Sequence, residues 1–202
     1  MSYDHKIIDQ KYHLKGLISP AVCNQLIKFY EDNKNLSLPE DSYKFGEDKT
    51  KNKQEIDNFN CLNLSKNMDK EGFKDTSNLI LKYLKIVLVN HAVYVRKNLC
   101  PTYQDIFMTH TNNIRIIKYE VGQFIKDHSD ITQNIRGSLT INLNDDYEGG
   151  EFRFFGGLVK VNLSAGEAML FPGEPLWIHG TEPITNGSRY TINCFFFSFR
   201  GR

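Results

Sequence analysis

The chain has 202 residues, 40% hydrophobic and 12% aromatic, enough for one domain with a substantial core, which excludes disorder over the whole length. Lys and Arg number 25 against 24 Asp and Glu, a formal charge of +1, so the surface is not built mainly to hold nucleic-acid backbone or anionic lipid. The cysteines, Cys23, Cys61, Cys100 and Cys194, are far apart and form no Cys-x-x-Cys pair, which reads as reduced thiols.

The amino-terminal residues lack the apolar stretch of a secretory signal, and no apolar run reaches the roughly 18 residues of a membrane-spanning helix. The expectation is a cytoplasmic protein without a membrane partner. Ser19-Pro20 supplies a cap and a first-turn proline before Val22, Leu26, Ile27 and Tyr30, the pattern of a short amphipathic helix. From Leu36 to Phe59 polar residues dominate and apolar ones are scattered. This segment is expected to be a mobile loop that closes over a ligand, or else a solvated insertion without a role. A second helix is expected from Thr76 to Arg96, with Ile80, Tyr83, Leu84, Val87, His91 and Val95 on one stripe and His91 as a core histidine. Lys28, Lys82, Lys85 and Arg96 fall on these helices as solvated charges and form no nucleic-acid track.

After Pro101 the texture changes to short β-branched and aromatic segments. They are residues 114–119, 138–143, 150–155, 159–161, 168–171 and 189–195, punctuated by Gly, Asn and Pro. Regularly spaced short strands predict an antiparallel sandwich or barrel. The expected layout is a single domain over 1–202, with helical support over 1–100 and a β-barrel over 101–202.

His128 and Asp130 stand two apart in a strand expected to begin near Phe124, so both side chains would face one way and can meet one metal ion. Alone, a His-x-Asp arises often by chance. His179, in a later strand, adds a second imidazole, and two histidines with one carboxylate make the facial triad of non-haem Fe(II) oxygenases. Alternation then puts Arg189, Thr191 and Asn193 on one strand face. The guanidinium of Arg189 needs an anion, either a ligand carboxylate or a structural partner such as Glu151 or Glu167. Trp177 would wall the pocket beside His179 or pack as a core aromatic, and Phe195-Phe196-Phe197 reads as buried sheet.

Several ordered blocks resemble the 2-oxoglutarate- and Fe(II)-dependent dioxygenases, in their prolyl 4-hydroxylase-like branch. They are Tyr119 through Asp130, Leu143-Asn144-Asp145 with Gly149-Gly150-Glu151, Ala165-Gly166, and His179 followed by Arg189-Tyr190. Ile18-Ser19-Pro20 resembles the family's opening helix. The resemblance implies a double-stranded β-helix, a jelly-roll barrel buttressed by N-terminal helices. It implies that His128, Asp130 and His179 bind iron and act as the catalytic centre, leaving His5, His13, His91 and His110 dispensable for the metal. Arg189, helped by Thr191, would hold the distal carboxylate of 2-oxoglutarate, and Tyr119 would line the metal-chelating end. Where many relatives have tyrosine this chain has Asn142, whose amide can bond a carboxylate but is shorter.

The implied activity is hydroxylation of prolyl residues in a peptide or protein, with Fe(II), 2-oxoglutarate and dioxygen, and ascorbate as reductant. Alternatives are oxidation of another side chain or a small metabolite, demethylation of nucleic acid as in AlkB-like enzymes, or a non-catalytic metal-binding jelly roll. AlkB-like enzymes carry a further arginine where this chain has Phe195, which speaks against a nucleic-acid substrate.

Overall fold

In the computed structural model, which describes residues 7–40, 59–103, 108, 110–111, 113–130 and 135–198, one antiparallel sheet of seven strands lies between helices and two small sheets. The chain begins with a 3-10 turn at Ile7–Gln10, β1 at Tyr12–Leu14, α1 at Pro20–Asp32 and a 3-10 turn at Lys34–Leu36. β2 (Leu38–Glu40), β3 (Phe59–Asn63) and α2 (Phe73–Asn98) follow. The β-rich half comprises β4 (Arg115–Tyr119), β5 (Ile135–Asn142), β6 (Glu148–Gly149), β7 (Phe152–Phe154), β8 (Val159–Val161) and β9 (Ala168–Pro172). It ends with β10 (His179–Thr181), β11 (Ile184–Asn186) and β12 (Arg189–Phe197).

The large sheet runs β1-β9-β5-β12-β4-β3-β2, and the small ones are β10-β7-β8 and β11-β6. This is the expected jelly roll with helical support. Alternation along β5 and β12 decides what each face does. Leu139, Ile141, Ile192, Cys194 and Phe196 point one way into a core shared with Leu26 and Tyr30 of α1 and Phe73, Ile80, Leu84 and Val87 of α2. Ser138, Thr140, Asn142, Arg189 and Thr191 are the alternate residues; all are buried and all are polar or charged. At the β9 side of this inner face Met169 and Phe171 pack on Phe152 and Phe154 of β7. At the other side Ile117 and Tyr119 of β4 and Phe59 and Cys61 of β3 pack with Ile184 of β11.

α1 follows its Ser19-Pro20 start as expected. α2 begins three residues before the expected Thr76, after Gly72 in the left-handed region at φ 74°, and reaches Asn98. By length and composition α2 is long and apolar enough to cross a membrane, but here its stripe of Phe73, Ile80, Leu84, Val87 and His91 is buried in the domain. His91 is a core histidine as expected, edge-on to Tyr12 and Tyr103. Part of the segment expected as a loop, 36–59, is sheet: Leu38, Pro39 and Glu40 pair with Cys61, Asn60 and Phe59. Its residues 41–58, where a closing loop was expected, lie outside the described residues. All four cysteines are free thiols, and all but Cys100 are buried.

Candidate metal and co-substrate site

The His-x-Asp pair does not sit on a regular strand, contrary to expectation. Residues 124–130 run beside β10 and form one β-bridge with it, where His128 N–H donates to the His179 carbonyl and His179 N–H donates back, each at 2.9 Å; Thr181 N–H also donates to the Ile125 carbonyl at 2.9 Å. Ile125 anchors the approach, its N–H donating to Thr181 Oγ1 at 2.9 Å. The bridge sets the two imidazoles side by side, with ring centroids 4.4 Å apart.

Each imidazole is oriented by the same device. His128 Nδ1 lies 2.8 Å from the carbonyl of Lys126, and His179 Nδ1 lies 2.9 Å from the carbonyl of Trp177. A carbonyl only accepts, so Nδ1 carries the proton and Nε2 is left as a free electron pair. The Nε2 atoms lie 3.4 Å and 3.5 Å from the two Asp130 oxygens, and one ligand atom from each residue falls within 4.8 Å of the others. Ser138 of β5 donates its hydroxyl to Asp130 Oδ2, a partner that no spacing rule in the sequence flagged.

Electrostatics match this reading. Burial pushes the Asp130 carboxyl up, but the two imidazoles and Ser138 outweigh it and bring it to about 2. Burial pulls His179 down to about 4, so this imidazole is neutral around neutral pH and ready to ligate. His128 also loses solvation, yet Asp130 raises it above its ordinary value. Phe154 and Phe171 pack on the His179 ring at 6.1 Å and 4.6 Å. His179 and Asp130 side chains are 7% and 8% exposed and His128 is 33% exposed, so the cluster opens on the His128 side.

Arg189, at the start of β12, is 2% exposed. Its Nε donates to Asn142 Oδ1 at 3.0 Å and its Nη1 to the Gly150 carbonyl at 2.6 Å. The rings of Phe152, Tyr119 and Tyr147 lie 5.0–5.9 Å from the guanidinium carbon. Among the described residues no carboxylate reaches it. Glu167, one suggested structural partner, is taken by His13 at 2.9 Å and by the Ser164 N–H. The Gly150 approach depends on glycine: φ is +73°, and a Cβ there would stand 3.3 Å from Arg189 Cδ. A buried guanidinium held by two neutral acceptors retains donors for an anion, and a bidentate carboxylate fits that need.

Two expected contacts change place, and Trp177 takes one of its two expected roles. Asn142 does not reach out to a co-substrate: its Oδ1 accepts from Arg189 and its Nδ2 faces the carbonyls of Asn144 and Leu163 and the Tyr147 hydroxyl, within 2.6–3.0 Å. It is an anchor for Arg189, as its full burial requires. Tyr119 pairs with Arg189 across β4–β12, so it stands at the arginine end of the inner face and not at the metal end. Trp177 precedes β10 and packs against Phe154, Phe155 and Phe171 as a core aromatic, while its carbonyl holds His179. Thr191 falls where expected, buried beside Asn142 on the inner face.

Similarity to known proteins agrees with this geometry. The family model for the 2OG-Fe(II) oxygenase superfamily matches residues 114–197, which include the triad and Arg189. Over that stretch the chain is similar to this superfamily. A PKHD-type hydroxylase of Pseudomonas fluorescens is 37% identical over 62 residues, a stretch that covers 30% of this chain and 26% of that relative. A prolyl 4-hydroxylase of Pseudomonas putida superposes with a TM-score of 0.68 at 14% identity, over 96% of this chain and 98% of that one. A prolyl hydroxylase of Trichoplax adhaerens, solved with a peptide fragment of the hypoxia inducible factor oxygen degradation domain, gives 0.67 at 13% identity over 95% and 87%. A collagen prolyl hydroxylase of Paramecium Bursaria Chlorella virus-1 gives 0.63 at 14% over 94% and 97%. The fold is thus the one these prolyl hydroxylases share. The superfamily uses Fe(II), 2-oxoglutarate and dioxygen, and the donor set of His128, Asp130 and His179 with the carboxylate-seeking Arg189 fits all three.

Proposed function

We propose that this chain, as one domain, is a 2-oxoglutarate-dependent Fe(II) oxygenase that hydroxylates prolyl residues of a peptide or protein. The observation that carries it is the placement of two complementary binding groups on one inner sheet face. The His128–Asp130–His179 cluster sits at the Ser138 end of β5, and Arg189, buried with no carboxylate partner among the described residues, sits at the Asn142 end. The four residue steps from Ser138 to Asn142 span roughly 13 Å at about 3.3 Å each, room for a five-carbon dicarboxylate with one end at the metal and the other on the guanidinium.

His128 Nε2, His179 Nε2 and an Asp130 oxygen would hold Fe(II) and leave adjacent positions open. Bound there, iron with 2-oxoglutarate and dioxygen supplies the oxidising power to insert one oxygen atom into a C–H bond, with release of succinate and carbon dioxide. The chain's own residues do the positioning. Lys126 and Trp177 carbonyls keep the ligating nitrogens deprotonated, Ser138 fixes Asp130, and Asn142 with Gly150 aims Arg189. Phe154, Phe171 and Trp177 exclude water behind His179. Substrate then has to enter on the His128 side. A prolyl residue in a peptide or protein is supported by the prolyl hydroxylases that share this fold, one of them solved with a peptide.

The test is mass spectrometry on a panel of proline-containing peptides incubated with Fe(II), 2-oxoglutarate and ascorbate. The reading expects a gain of one oxygen atom on proline, coupled to succinate. Succinate release without peptide modification, or modification of another side chain, would refute the prolyl assignment.

A further inference from the structure

Between the metal end and the arginine end of the inner face lies a middle level, where Thr140 of β5 and Asn193 of β12 face each other. On the other side of Asn193 its register partner is Arg115 of β4, whose Nη2 donates to Asn193 Oδ1 at 2.6 Å. The buried Arg115 guanidinium also lies over the Phe195 ring at 4.9 Å. Phe195 in turn pairs with Ser138, the residue that holds Asp130. Arg115 and Asn193 therefore stand between the Arg189 level and the Ser138 level of the inner face.

A guanidinium has donors and no acceptor, whereas an asparagine amide has one of each. Contact with Arg115 forces Asn193 Oδ1 toward β4 and turns Nδ2 the opposite way. Nδ2 of this half-buried residue has no hydrogen-bond partner among the described residues. An aspartate at 193 would pair better still with Arg115, so a purely structural task does not call for the amide; a task that uses its N–H does.

We propose that Asn193 binds the 2-oxo acid end of 2-oxoglutarate, donating Nδ2–H to the carboxylate beside the ketone, and that Arg115 is a positioning residue that locks the amide in that orientation. The inference rests on the reading of the site given under Proposed function. With the distal carboxylate on Arg189, the opposite end of the molecule is the one that passes the Asn193 level toward the triad. A carboxylate oxygen that leaves water needs a donor, and Asn193 supplies one.

The test is calorimetric titration of the Fe(II)-loaded protein without oxygen, comparing 2-oxoglutarate with levulinate, which keeps the distal carboxylate and the ketone but has a methyl group in place of the adjacent carboxylate. Levulinate is read by its displacement of 2-oxoglutarate. Asn193→Ala should weaken 2-oxoglutarate about tenfold or more and leave levulinate unchanged, the size expected for one hydrogen bond to a charged group. Asn193→Asp should weaken 2-oxoglutarate further while the melting temperature holds or rises, because the new ion pair with Arg115 favours the fold. Arg115→Met should lower 2-oxoglutarate affinity, and Arg115→Lys should restore part of it. If Asn193→Ala weakens both ligands equally or neither, or if affinity follows melting temperature across the variants, the inference is overturned while the co-substrate reading stands. Arg189→Ala serves as the control: failure to weaken either ligand, or absence of 2-oxoglutarate binding by the unaltered protein, would overturn both.

Discussion

The two faces of the large sheet are built from alternating residues of the same strands and are chemically opposite. The outer face of β5 and β12 presents Leu139, Ile141, Ile192, Cys194 and Phe196 to α1 and α2 and draws its stability from apolar burial. The inner face presents Ser138, Thr140, Asn142, Arg189 and Thr191, equally buried and almost wholly polar. Burying that many polar groups lowers stability unless they are paired, so each unsatisfied donor there marks a place where a ligand completes the structure. The outer face makes the fold, and the inner face makes the site at the fold's expense.

Substitutions should separate the two faces. The largest effect is expected for His179→Ala, Asp130→Ala or His128→Ala, each of which should abolish Fe(II) retention and turnover while the circular dichroism spectrum stays native. Full activity in any of the three would break the division. On the outer face, Leu139→Ala or Leu84→Ala should cost about 2–5 kcal/mol in denaturant unfolding through the cavity it leaves, yet leave the Fe(II) affinity of the folded protein intact.

Smaller and sharper is Ser138→Ala, which removes the hydroxyl behind Asp130 and should weaken metal binding by about 10–100-fold with little change in fold. The smallest effect belongs to an outer ion pair. Glu31 accepts from Tyr190 at 2.6 Å and from Lys118 at 3.0 Å, and the Tyr190 hydroxyl leads the contacts that lower its carboxyl below the usual range. Its contribution is present above the ordinary carboxylate pKa and fades as pH falls through the lowered one. The stability gap between the unaltered protein and Glu31→Gln should therefore shrink on acidification, and a gap that widens would contradict the assignment.

Much of this was legible in the sequence because it is carried by local pattern. Strands β4, β5, β7, β8, β9 and β12 announce themselves by residue type and alternation, α1 by Ser19-Pro20, and the triad with Arg189 by ordered blocks that resemble a family. What escaped is set by tertiary contact. β3 hides because Asn60 and Asn63 interrupt its apolar run, and only pairing with β2 and β4 makes Phe59–Asn63 a strand. The His-x-Asp segment reads as a strand but is held by the bridge to His179 and by Thr181, which no spacing encodes. Asn142 was placed against the co-substrate because its carboxamide suits a carboxylate; its neighbours Asn144, Tyr147 and Leu163 instead consume it. Ser138 and Gly150 acquire roles only through the side chains that the fold brings to them.

The central claim is that the inner face divides its work, with iron on the triad and the distal carboxylate of 2-oxoglutarate on Arg189. The most direct test is to measure Fe(II) affinity and 2-oxoglutarate affinity on the same sample of Arg189→Ala. Loss of a charge-assisted bidentate contact in a desolvated pocket is worth about 2–5 kcal/mol, so 2-oxoglutarate should weaken roughly thirty-fold to several thousand-fold while Fe(II) affinity stays at the level of the unaltered protein. Unchanged 2-oxoglutarate affinity, or loss of iron with the arginine, would contradict the account.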